Sequence, residues 1–280
     1  MAATGLAIGP VFAIAAALGL TALPARAEVL EANYNISLAG ITIGRVSIGA
    51  QIDRDRYKVD VSARMTGLVG AVTRGAGSAT ATGHVGQHSP TSSGYALSAQ
   101  STDGPRTIRV AMAGGSVRAA EMNPPLDDRP DRVPVTPAHK RGVLDPVSAL
   151  IMPAAGAANG TLDPAGCNRT LPIFDGATRF DIVLSYKSTE TVQSRGYSGP
   201  VLVCSARYVP HAGHRPNRKS VQFMVDNREM ETWLAPIGSR RVLIPYRIAV
   251  ATMIGSAVIE AADFTVQAGS TSTVRAKAGE

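Results

Sequence analysis

A two-residue alternation of apolar and polar positions runs through most of this 280-residue chain and predicts strands. Tyr57, Val59, Val61 and Ala63 interleave with Lys58, Asp60, Ser62 and Arg64, and Ile108, Val110 and Met112 alternate with Thr107, Arg109 and Ala111. Phe180, Ile182, Leu184 and Tyr186 make a third face, and Ile244, Tyr246, Ile248 and Val250 a fourth. Between Ile41 and Ala50 the phase slips. Ile41 and Ile43 share one face, Val46, Ile48 and Ala50 take over, and Gly44 sits at the slip, where a β-bulge is expected. Val221, Phe223 and Val225 read as another alternation that enters the polar turn Asp226–Glu229 before Met230–Ala235 resumes. Tandem strands at short spacing predict an all-β fold with minor α content. The expected form is a curved, mostly antiparallel sheet closing into an incomplete barrel or β-spiral.

Two interruptions divide the pattern. Residues 123–137 hold five prolines, with four charged side chains from Asp127 to Asp131, and read as a connector without a ladder of its own. Shortly after, Asp145 is placed to cap a short helix over 145–152, with Pro146 at its first position and Pro153 ending it. A glycine-weakened helix is a second candidate over Met65–Thr73. Strands therefore run to about Glu121 and again from about Arg169. They are read as two arcs of one β-rich domain spanning 28–266, followed by a small, polar, disordered tail over 267–280.

Residues 1–27 read as an export signal. No charge occurs from Ala2 to Leu23, Val11–Leu20 is an apolar core, and Pro24-Ala25-Arg26-Ala27 offers a small-x-small cleavage site. No Lys or Arg precedes the core, a departure from the usual signal. Cleavage after Ala27 is expected, giving a periplasmic protein that does not span the membrane. The net charge of +7 suits anionic envelope surfaces, and aromatics at 5% are too scarce for base-stacking platforms, so nucleic acid is not expected. In an exported chain, the two cysteines, Cys167 and Cys204, read as one disulfide. The rival is a metal site with His211 and His214, although the cysteines lack paired C-x-x-C spacing.

Catalytic signatures are sparse. There is no G-x-S-x-G elbow, H-E-x-x-H pair or phosphate-binding glycine loop, so no catalytic residue, metal or cofactor is assigned. Ser148, His139 and Asp145 could be written as a triad, but Asp145 also reads as a helix cap and His139 as a solvated residue. The basic runs His139-Lys140-Arg141 and Arg240-Arg241 are candidate contacts for anionic ligand groups.

The stretch Cys167-Asn-Arg-Thr-Leu-Pro-Ile-Phe174-Asp175-Gly176-Ala-Thr-Arg179-Phe180-Asp181 resembles a segment of an exported bacterial family, domain of unknown function 3108, in its alphaproteobacterial form. Gly142-Val-Leu-Asp145-Pro146-Val-Ser148, Tyr197-Ser-Gly199-Pro200-Val-Leu-Val-Cys204, Trp233-Leu-Ala and Leu243-Ile-Pro245-Tyr246-Arg247-Ile248 fit further segments, and Tyr34 with Gly40 and Gly44 fits its first hairpin. The resemblance implies a periplasmic, β-rich protein with no established enzymatic activity. Physically, Asp175-Gly176 reads as a two-residue hairpin turn, Asp181 as a partner for Arg179 or another Arg, and Pro245 as the mark of an edge or bulge. The function expected is non-catalytic binding of a lipid or other hydrophobic envelope ligand in the curved sheet. The alternatives are a scaffold for an envelope protein or peptidoglycan, and a hydrolase or metal-dependent enzyme.

Overall fold

Fourteen strands build one antiparallel sheet in the structure, a computed structural model describing residues 27–53, 55–67, 69–70, 75–154, 162–237 and 242–268. The first arc is a meander: β1 (Glu28–Leu38), β2 (Ile41–Asp53), β3 (Arg56–Met65), β4 (Ala76–Val85), β5 (Pro90–Ser101), β6 (Gly104–Ala113) and β7 (Ser116–Asn123). The second begins at β9 (Arg169–Phe174) and returns through β10 (Arg179–Ser194), β11 (Tyr197–Ala212), β12 (Met230–Ile237), β13 (Val242–Thr252) and β14 (Gly255–Ala268). β14 pairs with β1, so β7 and β9 are the outer edges, and the short β8 (Met152–Pro153) pairs with β13. The strand runs read from alternation are therefore present, and β14 extends to Ala268, two residues into the segment read as a tail.

Local chemistry sets the register. The β6–β7 hairpin turns on Gly114 and Gly115, both at positive φ (56° and 68°), as a two-residue turn of this hand requires. The pairing of β1 with β2 shifts between Ile36 and Ser37, leaving Ile43 extra beside Gly44. A Cβ on Gly44 would lie 2.8 Å from the Arg64 carbonyl oxygen, so the expected bulge also needs glycine for close approach. Pro245 sits at a second bulge, between the pairs Trp233–Arg247 and Leu234–Pro245. The bulge splits the predicted β13 face: Ile244 and Tyr246 enter the main core, while Ile248 and Val250 line a cavity on the other side.

The edges do not close by a regular ladder. The strand-like segment Arg141–Leu144 spans the gap. Arg141 bridges Ser116 of β7, the Val143 amide donates to the Gly115 carbonyl at 2.9 Å, and Leu144 exchanges bonds with Pro172 and Phe174 of β9. Beyond it, the predicted two-turn helix over 145–152 is a single 3-10 turn, Ser148–Leu150. The cap position is Val147, not Asp145, whose carboxylate instead accepts from the Val147 and Ser148 amides from two residues before it, and Met152 and Pro153 are drawn into pairing with β13, which ends the helix after one turn. An α-helix, α1, Lys219–Asp226, forms instead over the stretch read as a strand. Val221 and Met224 there are three residues apart, on the same side of a helix, and Met224 packs against the sheet. Of the second helix candidate, Met65 closes β3, Thr66 is irregular, Gly67, Val69 and Gly70 are helical, and Leu68 and residues 71–73 lie outside the described residues. Of the segment 1–27 read as an export signal, residues 1–26 lie outside them too.

Two apolar cores result. The main one joins Leu30, Tyr34, Tyr57, Val59 and Tyr95 of the first arc to Val201, Ile237, Ile244 and Phe264 of the second, with Val143, Val147 and Ile151 inserted from the connecting segment. Burying each such large side chain contributes roughly 1.5–3 kcal/mol. The second core lies across the other face of β9–β13 and contains the disulfide Cys167–Cys204, with a Cα–Cα distance of 5.4 Å and both cysteines fully buried. No helix among the described residues is long and apolar enough to cross a membrane.

Candidate functional site

The second core is incompletely filled. A cavity of about 220 Å³ lies between the sheet and the connecting segment. Its walls are Leu171 and Ile173 of β9, Ile182 and Leu184 of β10, Ala206 of β11, Met230 of β12 and Ile248 and Val250 of β13; Ala149, Leu150 and Met152 cover it. These side chains meet because alternation puts every second residue of each strand on this face. Thr232 is the one hydroxyl-bearing residue in the lining: it is 7% exposed, and its hydroxyl is buried with no hydrogen-bond partner among the described residues. An unpaired buried hydroxyl is destabilising by about 1–3 kcal/mol, so a partner supplied from the cavity would be favourable. Neighbouring Glu231 points its carboxylate elsewhere, to Lys187 and to Trp233 Nε1 at 3.2 Å; the Lys187 bond holds its pKa below the usual range.

The residues of the possible triad do not converge. Asp145 is fully buried and accepts from Ser92 Oγ and Ser148 Oγ, both at 2.5 Å, and from the amides of Val147 and Ser148. Ser148 Oγ in turn accepts from the Tyr57 hydroxyl at 2.6 Å, and burial raises the tyrosine's pKa. His139 is turned back on its own segment, Nδ1 accepting from the Thr136 amide at 3.1 Å. The Asp145 group therefore acts as a tie between the connecting segment and strands β3 and β5.

The basic residues proposed as contacts are likewise dispersed. Lys140 lies over the Phe174 ring at 5.9 Å, and the Arg141 backbone is part of the edge closure. Arg240 and Arg241 lie outside the described residues. Asp181 meets Arg179 at 2.5 Å, as its strand position suggested, and also His211 Nε2 at 2.9 Å. The Asp175-Gly176 turn is a four-residue loop, not a two-residue one: Arg179 pairs with Phe174, and Asp175 accepts from the amides of Ala177 and Thr178. His214 follows the end of β11, where burial pushes its pKa down. Among the described residues no group of three or more His, Cys, Asp or Glu is placed to hold a metal ion.

The cavity and Thr232 escaped the sequence reading. Alternation on β10 did mark Ile182 and Leu184 as one apolar face, but a void is set by how five strands and a turn pack, which no local pattern records.

A family model described as Protein of unknown function (DUF3108) matches residues 33–262. The chain belongs to this family. No curated protein matches this DUF3108 chain. Among solved structures it is similar to the crystal structure of a beta-barrel-like protein of domain of unknown function DUF1849 from Brucella abortus. Identity is 10% and the TM-score 0.46, with 88% of this chain and 100% of that chain covered. Within the DUF3108 chain, the segment from Gly142 to Ser148 has a clear architectural meaning. Val143 and Leu144 link the two edges and enter the two cores, while Asp145 and Ser148 make the buried tie.

Proposed function

We propose that this DUF3108 protein is a non-catalytic binder of a slender apolar ligand, exported to the cell envelope, with the ligand seated in the cavity over β9–β13. The observation that carries this reading is the apolar lining, with Thr232, whose buried hydroxyl is unpartnered among the described residues, in the wall. At about 220 Å³ the space is smaller than the roughly 300–1,000 Å³ of drug-sized pockets, which favours a single alkyl chain over a fused or branched body. A carbonyl or hydroxyl on that chain would complete the Thr232 hydrogen bond. The leader pattern before Glu28 and the buried Cys167–Cys204 disulfide support an oxidising, periplasmic setting. A non-catalytic role is supported by Ser148, whose buried hydroxyl is engaged by Asp145 and Tyr57.

Native mass spectrometry of protein purified gently from the envelope tests this. A lipid-sized adduct lost on denaturation is expected, and so is saturable binding of a fluorescent fatty acid. Ala206→Phe, which fills the void, should abolish fatty-acid binding, and Thr232→Val should weaken it about 5- to 10-fold, the worth of one hydrogen bond. Wild-type affinity in both variants would defeat the proposal.

A second reading, a scaffold for another envelope component, is favoured by the β7 edge. Past Ser116 this strand pairs with β6 alone, and Arg118–Glu121 are exposed. Such an edge can accept a partner strand. Crosslinking at Ala119 or Glu121 to an extended segment of another protein, with no bound lipid, would favour it.

A further inference from the structure

A different surface, independent of the cavity, points to a membrane. The β1–β2 and β13–β14 turns lie side by side at one end of the sheet, joined by the Ala39 amide donating to the Ser256 carbonyl at 2.9 Å. Together they present Ile41, Met253 and Ile254, which are 69%, 60% and 73% exposed. Single exposed apolar residues are ordinary, but three on two touching hairpin tips form a projecting patch.

Immediately behind the patch is a basic row. Asn35 pairs with Arg45, and Arg45 lies directly opposite Arg64 across β2 and β3. Like charges directly opposite on neighbouring strands repel, and neither arginine has an ion pair among the described residues. The nearby acids are engaged elsewhere, Asp263 by Arg195 and Glu260 by Arg247. The two arginines line an open groove of about 610 Å³ with Asn33, Asn35, Ser47 and Ser62, and Asp263, paired with Arg195, closes its far side.

We infer that this end of the sheet docks on an anionic phospholipid bilayer, with Ile41, Met253 and Ile254 entering the interface and Arg45 and Arg64 binding headgroup phosphates. The spacing fits. Ile43 being the extra bulge residue, Arg45 stands three regular steps from Ile41, roughly 10 Å along the strand and roughly 8 Å in height at the tilt usual for barrels. Apolar side chains of interfacial proteins sit about 5–10 Å into the headgroup boundary, which leaves the arginines level with the phosphates. The charge that would otherwise repel across the β2–β3 pair is neutralised there, and the net charge, +6 once residues 1–27 with Arg26 are removed, adds long-range attraction.

Flotation with vesicles of phosphatidylcholine, alone or mixed with phosphatidylglycerol, tests the assignment. The wild-type protein is expected to float with the anionic mixture and to release at high salt. The triple variant Ile41→Ser, Met253→Ser, Ile254→Ser should lose at least about 100-fold in partitioning. Arg45→Ala with Arg64→Ala should lose about 25-fold and most of the salt dependence. Because the substituted side chains are exposed, unfolding midpoints should match wild type. Ala206→Phe, which tests the cavity, should leave flotation unchanged, so either claim can fail alone. The membrane assignment is overturned if the tip variants float like wild type, if neutral vesicles bind as well as anionic ones, or if the wild type does not float. It is also overturned if light scattering shows a dimer that the tip variants convert to monomer, for then a second copy covers the patch.

Discussion

Replacing Asp145 by alanine measures how much of this fold hangs on one buried carboxylate. Four donors end on it: the hydroxyls of Ser92 and Ser148 and the amides of Val147 and Ser148. Truncation leaves the two amides without acceptors, whereas the two hydroxyls can rotate towards other oxygens. At about 1–3 kcal/mol for each buried donor left unsatisfied, the loss comes to about 2–6 kcal/mol. A residue that merely capped a surface turn would lose only about 0.5–2 kcal/mol, so the magnitude separates a buried tie from a local cap. Asparagine keeps an acceptor for both amides and offers N–H to the serine oxygens, so Asp145→Asn should lose about 1–2 kcal/mol. Urea unfolding followed by the fluorescence of Trp233, the single tryptophan, reads both variants. A loss below about 2 kcal/mol for Asp145→Ala, the range of a mere cap, or equal losses for the two variants, would refute the reasoning.

Cys204→Ser, measured without reductant, should lower stability by about 4 kcal/mol, the chain-entropy value for a loop of this length, and an unchanged melting temperature would remove the structural role of the bond. Burial raises the hydroxyl pKa of Tyr34 and Tyr57 above the unfolded value near 10. Their contribution is therefore complete below about pH 10 and is lost above it, at about 1.4 kcal/mol per tyrosine per pH unit. Tyr34→Phe should flatten the decline in urea midpoint between pH 10 and 11, and an unaltered slope would count against it. Gly44→Val should destabilise by about 1–3 kcal/mol through contact with the Arg64 carbonyl, whereas Gly49→Val, with open space at its Cβ, should be near neutral in thermal unfolding. N-terminal mass analysis of secreted protein should begin at Glu28; a chain retaining Met1 would end the export reading.

The fold was largely legible along the chain, the site much less so. Alternation at Tyr57–Ala63 and Ile108–Met112 places the same residues in the core that the structure buries, and the slip at Gly44 marks a true bulge. Val221–Val225 misled because five residues cannot separate a two-residue repeat from a helical one; packing of Met224 on the second core decides it. The 145–152 helix shortened because β13 offers Met152 backbone partners that a longer helix would forgo.

Pattern, turn glycines and cysteine count act through neighbours in the chain, and on their own they determine the strands, the Gly44 and Pro245 irregularities, the two arcs and the disulfide pair. What lies far apart in the chain was decided by tertiary structure alone. The meeting of β14 with β1, the closure of the edges by Arg141–Leu144, the seclusion of Asp145 with Ser92 and Tyr57, and the void beside Thr232 all join segments tens of residues apart. So does the alignment of Ile41 with Met253 and Ile254, which are separated by most of the sheet in sequence yet lie on adjacent turns. Period-two alternation states which way a side chain faces but not which strand it will face, since any register that keeps the apolar side inward satisfies it equally.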